Sequence, residues 1–337
     1  MDKGRGGKVR NVYNATWDVS GSSSGCAVAV SANLATACIG TETFGSIVSP
    51  SAANGIIGIK PTIKLVNQKG IIPISSDLDT AGPMCRSTAD CDLILRVMAP
   101  PNAFDRLDFD QLKIGYFSTP YDQKYAELLT VLGQGNATLV DMNQVLNLND
   151  NHNPGPDVRA FMNCRFRDDL QSYLSTLKNT TMRTLDDIMQ FNLNHASTER
   201  MSEFGQGVFE QAATAQTYKT NPKFCRDLRT KFLDHGRIRS SMIKKHGQRN
   251  PQWGLDSMLA KANVDVIMGL GKGSSGAVTT LAGYALYPVI SIPLGLGEHG
   301  AWAVGATAKA GKEGNLFALC EYVMRNFDTR VKPAEAP

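Results

Sequence analysis

A chain of 337 residues, 42% hydrophobic and 20% charged, carries enough apolar material for one large α/β domain or two ordinary ones, and too much for a disordered segment. Its net charge of +4 comes from Lys and Arg dispersed among Asp and Glu, and the longest basic run, RIRSSMIKK, reads as a solvated helix face, so no nucleic-acid partner is expected. No run of about 18 apolar residues exists, so no membrane span is expected, and the opening MDKGRGGKVRNVYN has charge but no apolar core of a secretion signal.

Residues 1–99 are rich in Gly, Ser, Ala and Ile. AVAVSANLATA (27–37) reads as a helix whose small side chains let it lie close to a sheet. GIIGIKPT (55–62) and GIIPIS (70–75) read as short buried strands. STADCDLILRVMA (87–99) has an Asp-rich first turn and then an apolar run, which marks a helix start, and LKIGYF (112–117) reads as a strand. From about 120 to 260 helical periodicity dominates, in VRAFMNCRFRDDLQSYLSTL, TLDDIMQFNLNH and KFCRDLRTKFLDHGRIRSSMIKKHG, with NLNDNHNPGPD (147–157) as a loop. This region reads as a helical layer or insertion, not a separate domain. Strand texture returns from 264 in VDVIMGLG and YPVISIPLGLG, and EGNLFALCEYVMRNF is the closing helix. The first and last parts are expected to share one sheet. The whole of 1–337 then forms one domain: a core at 1–99, a helical region at 120–260 and a return to the sheet at 261–337.

Seven cysteines are scattered, odd in number, without a CxxC pair or a Cys/His cluster. Neither a disulfide framework nor a zinc site is expected, and reduced thiols in a cytoplasmic setting fit better. The sequons at Asn14, Asn136 and Asn179 would matter only in a secreted chain. Five isolated histidines fit no triad motif and read as surface or satisfied residues. The GxGxxG match at Gly271–Gly276 has no acid about 20 residues on, and Gly273 stands where a phosphate-binding loop needs Ser or Thr. It reads as a loop bordering a cleft, and no cofactor or metal is expected.

The stretch SGSSSGCAVAVSANLATACIGTETFGSIVSPSAANG (20–55) carries the chemistry. Acyl transfer needs an exposed hydroxyl, a proton acceptor, and oxyanion donors about 3 Å from the developing charge. A glycine-flanked turn exposes backbone N–H groups without Cβ obstruction, and ETFGSI offers several beside Ser46. With GIIGIKPT and SSDLDTAGPMCRSTAD downstream, the text resembles the amidase signature family. That pattern is a GGSSGG knot, an Ala-rich helix, G-T-[DE]-x-G-G-S-I and a Pro, then G-x-K-P-T and L-D-x-x-G-P-[ML]-x-R. The match is continuous from about Gly6 to Met98, resumes weakly in GYALYPVISIPLG and the last helix, and looks closest to fungal members.

The resemblance implies α/β/α layers around a large mixed sheet and hydrolysis of carboxamide C–N bonds in a small-molecule substrate. Ser46 matches the nucleophile. Ser22 matches a bridging serine, preceded by a cis peptide bond, that relays a proton between the nucleophile and a lysine. The backbone amides of Thr43, Phe44, Gly45 and Ser46 match the oxyanion hole. Ser23 and Thr41 match supporting positions, and Asp79 and Arg86 match structural polar ones.

Three departures stand out. The family's lysine lies in a G-K-[TA]-N motif well upstream of the bridging serine. Only 21 residues precede Ser22 here, and GRGGKVRNVYNATWDV matches the text after that motif. The N-terminal portion of the fold, with some of its strands, is therefore expected to be missing, and Lys3 and Lys8 are the upstream lysines. Phe44 stands where the family has Gly or Asp: its ring could narrow the acyl pocket, and a positive φ there would strain it. Ser20 and Ser24 replace knot glycines. Two readings go forward, an amidase and a non-catalytic interaction protein on the same scaffold. Substrate identity and oligomeric state are not legible.

Overall fold

The computed structural model describes residues 7–117, 122–145, 157–234, 236, 240–245, 248–250, 254–272, 276–298 and 300–327. The first part contributes α1 (Ser24–Ser31), β1 (Ala37–Glu42), α2 (Val48–Ala53), β2 (Ile57–Lys60), β3 (Thr80–Cys85), α3 (Thr88–Met98), β4 (Lys113–Tyr116), α4 (Gln123–Gln134), β5 (Thr138–Asp141) and α5 (Met142–Val145). Then come α6 (Val158–Thr176), α7 (Leu185–Asn194), α8 (Met201–Phe204), α9 (Gly207–Thr214), α10 (Pro222–Leu233), β6 (Ser240–Lys245) and β7 (Gln248–Asn250). The chain returns through α11 (Leu255–Ala262), β8 (Val266–Lys272), α12 (Ala277–Ala285), β9 (Val289–Gly297), β10 (Gly300–Ala308) and α13 (Glu313–Asn326).

Eight strands form one sheet in the order β1-β3-β2-β9-β10-β8-β4-β5. Pairing is antiparallel from β1 to β8 and parallel from β8 through β4 to β5, so the sheet is mixed. As expected, the first and last parts share it, through the β2–β9 pair, which sets Gly58 against Ser291 and Lys60 against Val289.

Alternation along the strands divides the core between the two faces. Val266, Met268, Ile290, Ile292, Val304 and Ala306 pack with Leu95 of α3, Leu128 of α4 and Leu316 of α13. Ile267 and Val289 pack with Val48 of α2, Met258 of α11 and Val278 of α12. The result is the expected α/β/α layering. The helices of the middle region carry apolar clusters of their own, and one of these, around Phe161 and Phe232, reaches Leu78, Tyr284 and Leu286 of the layered core.

Several expectations are corrected. The helix expected over 27–37 stops at Ser31, where Asn33 turns left-handed (φ 62°), and Ala37 already begins β1. GIIPIS forms no strand: Pro73 interrupts it, Ile72 and Ile74 are exposed, and the Ile74 and Ser75 amides bond to Asp79 instead. The helix read from 223 ends at Leu233, and 240–245 pairs with 248–250 as a hairpin.

The cysteines are the largest correction. Cys26 of α1 is bonded to Cys38 of β1, Cys85 of β3 to Cys91 of α3, and Cys164 of α6 to Cys225 of α10. Their Cα atoms lie 5.4, 5.7 and 5.8 Å apart, within disulfide reach. Spacing in sequence hid the pairs, because each bridges two elements that meet only in the fold. The odd residue is Cys320, a core thiol pushed up to about 12 by burial. Among the described residues, no helix is long and apolar enough to cross a membrane.

Candidate active site

The turn between β1 and α2 is built around a buried carboxylate. Glu42, 3% exposed, folds back over the residues that follow it. Its Oε1 accepts the Gly45 amide at 2.7 Å, and its Oε2 accepts those of Ile47 and Val48 at 2.8 and 3.1 Å. The first amides of α2, which have no partner inside the helix, are thereby satisfied by a full negative charge. Gly45 takes φ 91°, a conformation that disfavours any side chain. Phe44 does not, so the strain expected for it is absent.

Ser46 sits half-buried at the end of this turn, directly before Ile47 and α2. Gly45's N–H is committed to Glu42, which takes it out of the four-amide set expected from the sequence. The amides of Thr43, Phe44 and Ser46 meet no acceptor among the described residues.

The serine knot is fastened to this turn. The Gly21–Ser22 peptide bond is cis. Ser23 donates its backbone N–H to the Ser46 carbonyl at 3.2 Å. Its hydroxyl donates to the Thr41 carbonyl and accepts the Thr41 amide, both at 3.2 Å. Thr41 thus acts through its backbone. Ser22, exposed, lies on the same knot. Ser24 uses its hydroxyl to close the knot on the Ser20 carbonyl at 2.7 Å, which accounts for one serine in place of a glycine. Ser20 is held left-handed at φ 56°. Arg86 donates from Nη1 to the carbonyls of Val30 and Ala35, each at 2.6 Å, and so pins the α1–β1 connection.

Asp79 underlies the turn from the other side. Its Oδ1 accepts the Thr43 hydroxyl at 2.6 Å, and its Oδ2 accepts the Ile74 and Ser75 amides at 2.8 Å. Burial pushes this carboxyl above its usual range, while the three hydrogen bonds pull the other way. The same loop is clamped to the helical region: Asp77 pairs with Arg165 at 3.0 Å and Arg229 at 3.6 Å, and Asp169 accepts the Ser76 amide at 2.7 Å.

A family model described as "Amidase" matches residues 2–248. The chain belongs to the amidase family. Over 321 residues it is 29% identical to an Arabidopsis thaliana protein named a "probable amidase", covering 88% of this chain and 57% of that protein. Over 109 residues it is 46% identical to one component of the glutamyl-tRNA(Gln) amidotransferase of Ralstonia pickettii, covering 32% of this chain and 21% of that component. The native peptide amidase of Stenotrophomonas maltophilia superposes with a TM-score of 0.81 at 28% identity, over 99% of this chain and 71% of that one. The chain therefore spans little more than half the length of the Arabidopsis relative.

Two charged residues of this amidase-family site escaped the sequence reading, although both stand inside quoted motifs, GTETFG and GIKPT. Glu42 is one. Lys60 of β2 is the other: 1% exposed, it donates from Nζ to the Pro61 carbonyl at 3.1 Å. Burial lowers it to about 8, against the upward pull of Glu42 and Glu313. A lone acid and a lone lysine in otherwise small or apolar text were the available signal, since charges are buried only where paired. Of the upstream lysines, Lys8 is exposed and Lys3 lies outside the described residues.

The Phe44 ring does not fold back over Ser46. It packs edge-on against Tyr284, centroids 5.2 Å apart at 69°, and near Phe232 at 6.4 Å. A side chain on Gly283 would collide with it, so α12 presents a glycine there. The feared obstruction becomes one member of an aromatic wall. His195 is exposed and stacks on Phe191, while His152, His235, His246 and His299 lie outside the described residues. The GxGxxG match spans the connection from β8 to α12, with 273–275 outside the described residues.

Proposed function

We propose that this chain hydrolyses the C–N bond of a small-molecule carboxamide through an acyl-enzyme on Ser46. One observation carries the reading: a serine on a carboxylate-wrapped turn, with unspent amides at Thr43, Phe44 and Ser46, is hydrogen-bonded through Ser23 to a second serine-bearing knot. Ser46 Oγ attacks the carbonyl carbon. Its proton passes to Ser22 Oγ as the Ser22 proton moves on to an amine base. The carbonyl oxygen becomes an oxyanion facing those amides. Collapse expels ammonia or an amine, which takes up the relayed proton, and water then cleaves the acyl–Ser46 ester by the same route. Asp79, Thr41 and Ser23 hold the turn and the knot, and Arg86 holds the α1–β1 connection beside them. The likeness to a peptide amidase makes a peptide amide the first substrate to try.

The alternative is a non-catalytic interaction protein on the same scaffold. A fluorophosphonate separates the two readings. One adduct by intact mass, lost in Ser46→Ala, supports an activated nucleophile. No adduct on a folded chain supports the non-catalytic protein.

A further inference from the structure

Two independent sets of residues point to one cellular history. The first is the cysteines. Six of seven are paired, and Cys85, Cys91, Cys164 and Cys225 are fully buried in their pairs. The bridges tie α1 to β1, β3 to α3 and α6 to α10, so each joins two elements that pack on one another. Disulfides of this kind form and persist in oxidising compartments, and thiols of reducing ones stay free.

The second set is the sequons, Asn14-Ala15-Thr16, Asn136-Ala137-Thr138 and Asn179-Thr180-Thr181. In all three the asparagine and the final threonine are exposed. All three asparagines stand in connections outside helices and strands. Asn14 opens a turn closed by Trp17 N–H on its carbonyl at 3.0 Å. Its Oδ1 accepts the Thr16 amide at 2.9 Å and the Thr16 hydroxyl at 2.7 Å, which draws the sequon's hydroxyl onto the asparagine side chain. Asn136, at φ 64°, makes the corner between α4 and β5, and Asn179, at φ 59°, the corner between α6 and α7. Glycan attachment requires an Asn-x-Thr or Asn-x-Ser on an accessible loop, with x other than proline, and all three meet that requirement.

We infer that the chain matures in an oxidising, glycosylating compartment and carries N-linked glycans at Asn14, Asn136 and Asn179. The donor is a polyprenyl-diphosphate-linked oligosaccharide. The Asn Nδ2 forms a bond to the first sugar carbon, the bond from that carbon to the diphosphate oxygen breaks, and the nitrogen gives up one proton. Each cysteine pair closes by losing two protons and two electrons to a disulfide-exchange oxidant of the same compartment. The expectation of a reduced, cytoplasmic chain is thereby replaced.

The test uses the full chain, tagged and recovered from its own cells. Denaturation in iodoacetamide before reduction marks free thiols. Glycan release by an amidase-type endoglycosidase in ¹⁸O-water then converts each occupied asparagine into ¹⁸O-labelled aspartate. The expected result is alkylation of Cys320 alone, label at all three asparagines, and loss of one glycan's mass in each of Thr16→Ala, Thr138→Ala and Thr181→Ala. Seven alkylated cysteines with three unmodified asparagines overturn the inference. Six protected cysteines with no label overturn the glycan assignment, and an unlabelled residue in an otherwise labelled chain overturns the assignment at that residue.

Discussion

Glu42→Gln should destabilise the chain by an amount its hydrogen bonds allow to be estimated. The carboxylate accepts three backbone amides at 2.7, 2.8 and 3.1 Å and is almost fully buried. A glutamine in the best orientation turns its oxygen to Ile47 and Val48, and its NH₂ then faces the Gly45 amide, donor against donor. One buried amide left unsatisfied costs about 1–3 kcal/mol, and two bonds reduced from charged to neutral lose about 1 kcal/mol each. The total is about 4 kcal/mol. For a chain of this length the unfolding entropy converts each kcal/mol into about 1.5 °C, so the melting temperature should fall by about 6 °C. Thermal unfolding followed by circular dichroism at pH 7 reads this directly. Glu42→Asp keeps the charge on a shorter arm and should lie between the two. A Glu42→Gln melting temperature within 1 °C of the parent would refute the claim that this carboxylate organises the turn.

Lys60, lowered to about 8 in the fold against an ordinary 10.5, makes a signed prediction. Between those values the unfolded chain holds a proton that the folded chain has released, so stability rises with pH across the window by about 3 kcal/mol. Urea titrations at pH 7.5 and 10.5 should show this gain in the parent and not in Lys60→Met. Ser20→Gly should stabilise by about 0.5 kcal/mol, since relief of a left-handed serine outweighs the added chain entropy; urea midpoints compare the two proteins. Removing the Cys164–Cys225 pair as a double alanine variant opens a loop of sequence separation 61 and should cost about 4 kcal/mol. The Cys85–Cys91 pair, of separation 6, should cost about 2 kcal/mol. Melting temperatures of the oxidised proteins should fall in that order.

The layered fold was legible where apolar text was nearly unbroken, as in β8 and β9, or where apolar residues recurred among polar ones in long helices, as in α6 and α13. It was not legible in β3, whose TAGPMC carries Gly82 and Pro83 inside a strand flanked on both sides. Proline reads as a strand breaker because it brings no N–H to the ladder, yet Pro83 sits opposite Ile39 of β1. A side chain on Gly82 would collide with the Ile59 carbonyl, so the glycine records a close approach that only the neighbouring strand reveals. β10 was hidden by its own small residues, GAWAVGATA. At the site, the family resemblance singled out Ser46, the knot, Thr43 and Asp79, but not the Thr43–Asp79 hydrogen bond that joins the last two. The direction of the Phe44 ring depends on Tyr284, about 240 residues away in sequence, so no local pattern encodes it, whereas Glu42's commitment of the Gly45 amide, three residues on, is local and shows only once the turn folds.

The β2–β9 pairing also sets a timetable for synthesis. β2 ends at Lys60 and its neighbour β9 begins at Val289, so one edge of the serine-bearing half stays open until 229 further residues have been made. At about 5–20 residues per second, that interval lasts about 10–45 s on the ribosome. All three cysteine pairs are made before β9, Cys26–Cys38 first, Cys85–Cys91 next and Cys164–Cys225 last. The two short-range bridges can therefore serve as early fasteners, holding β1 and β3 to their helices while the strand that completes the sheet is still untranslated.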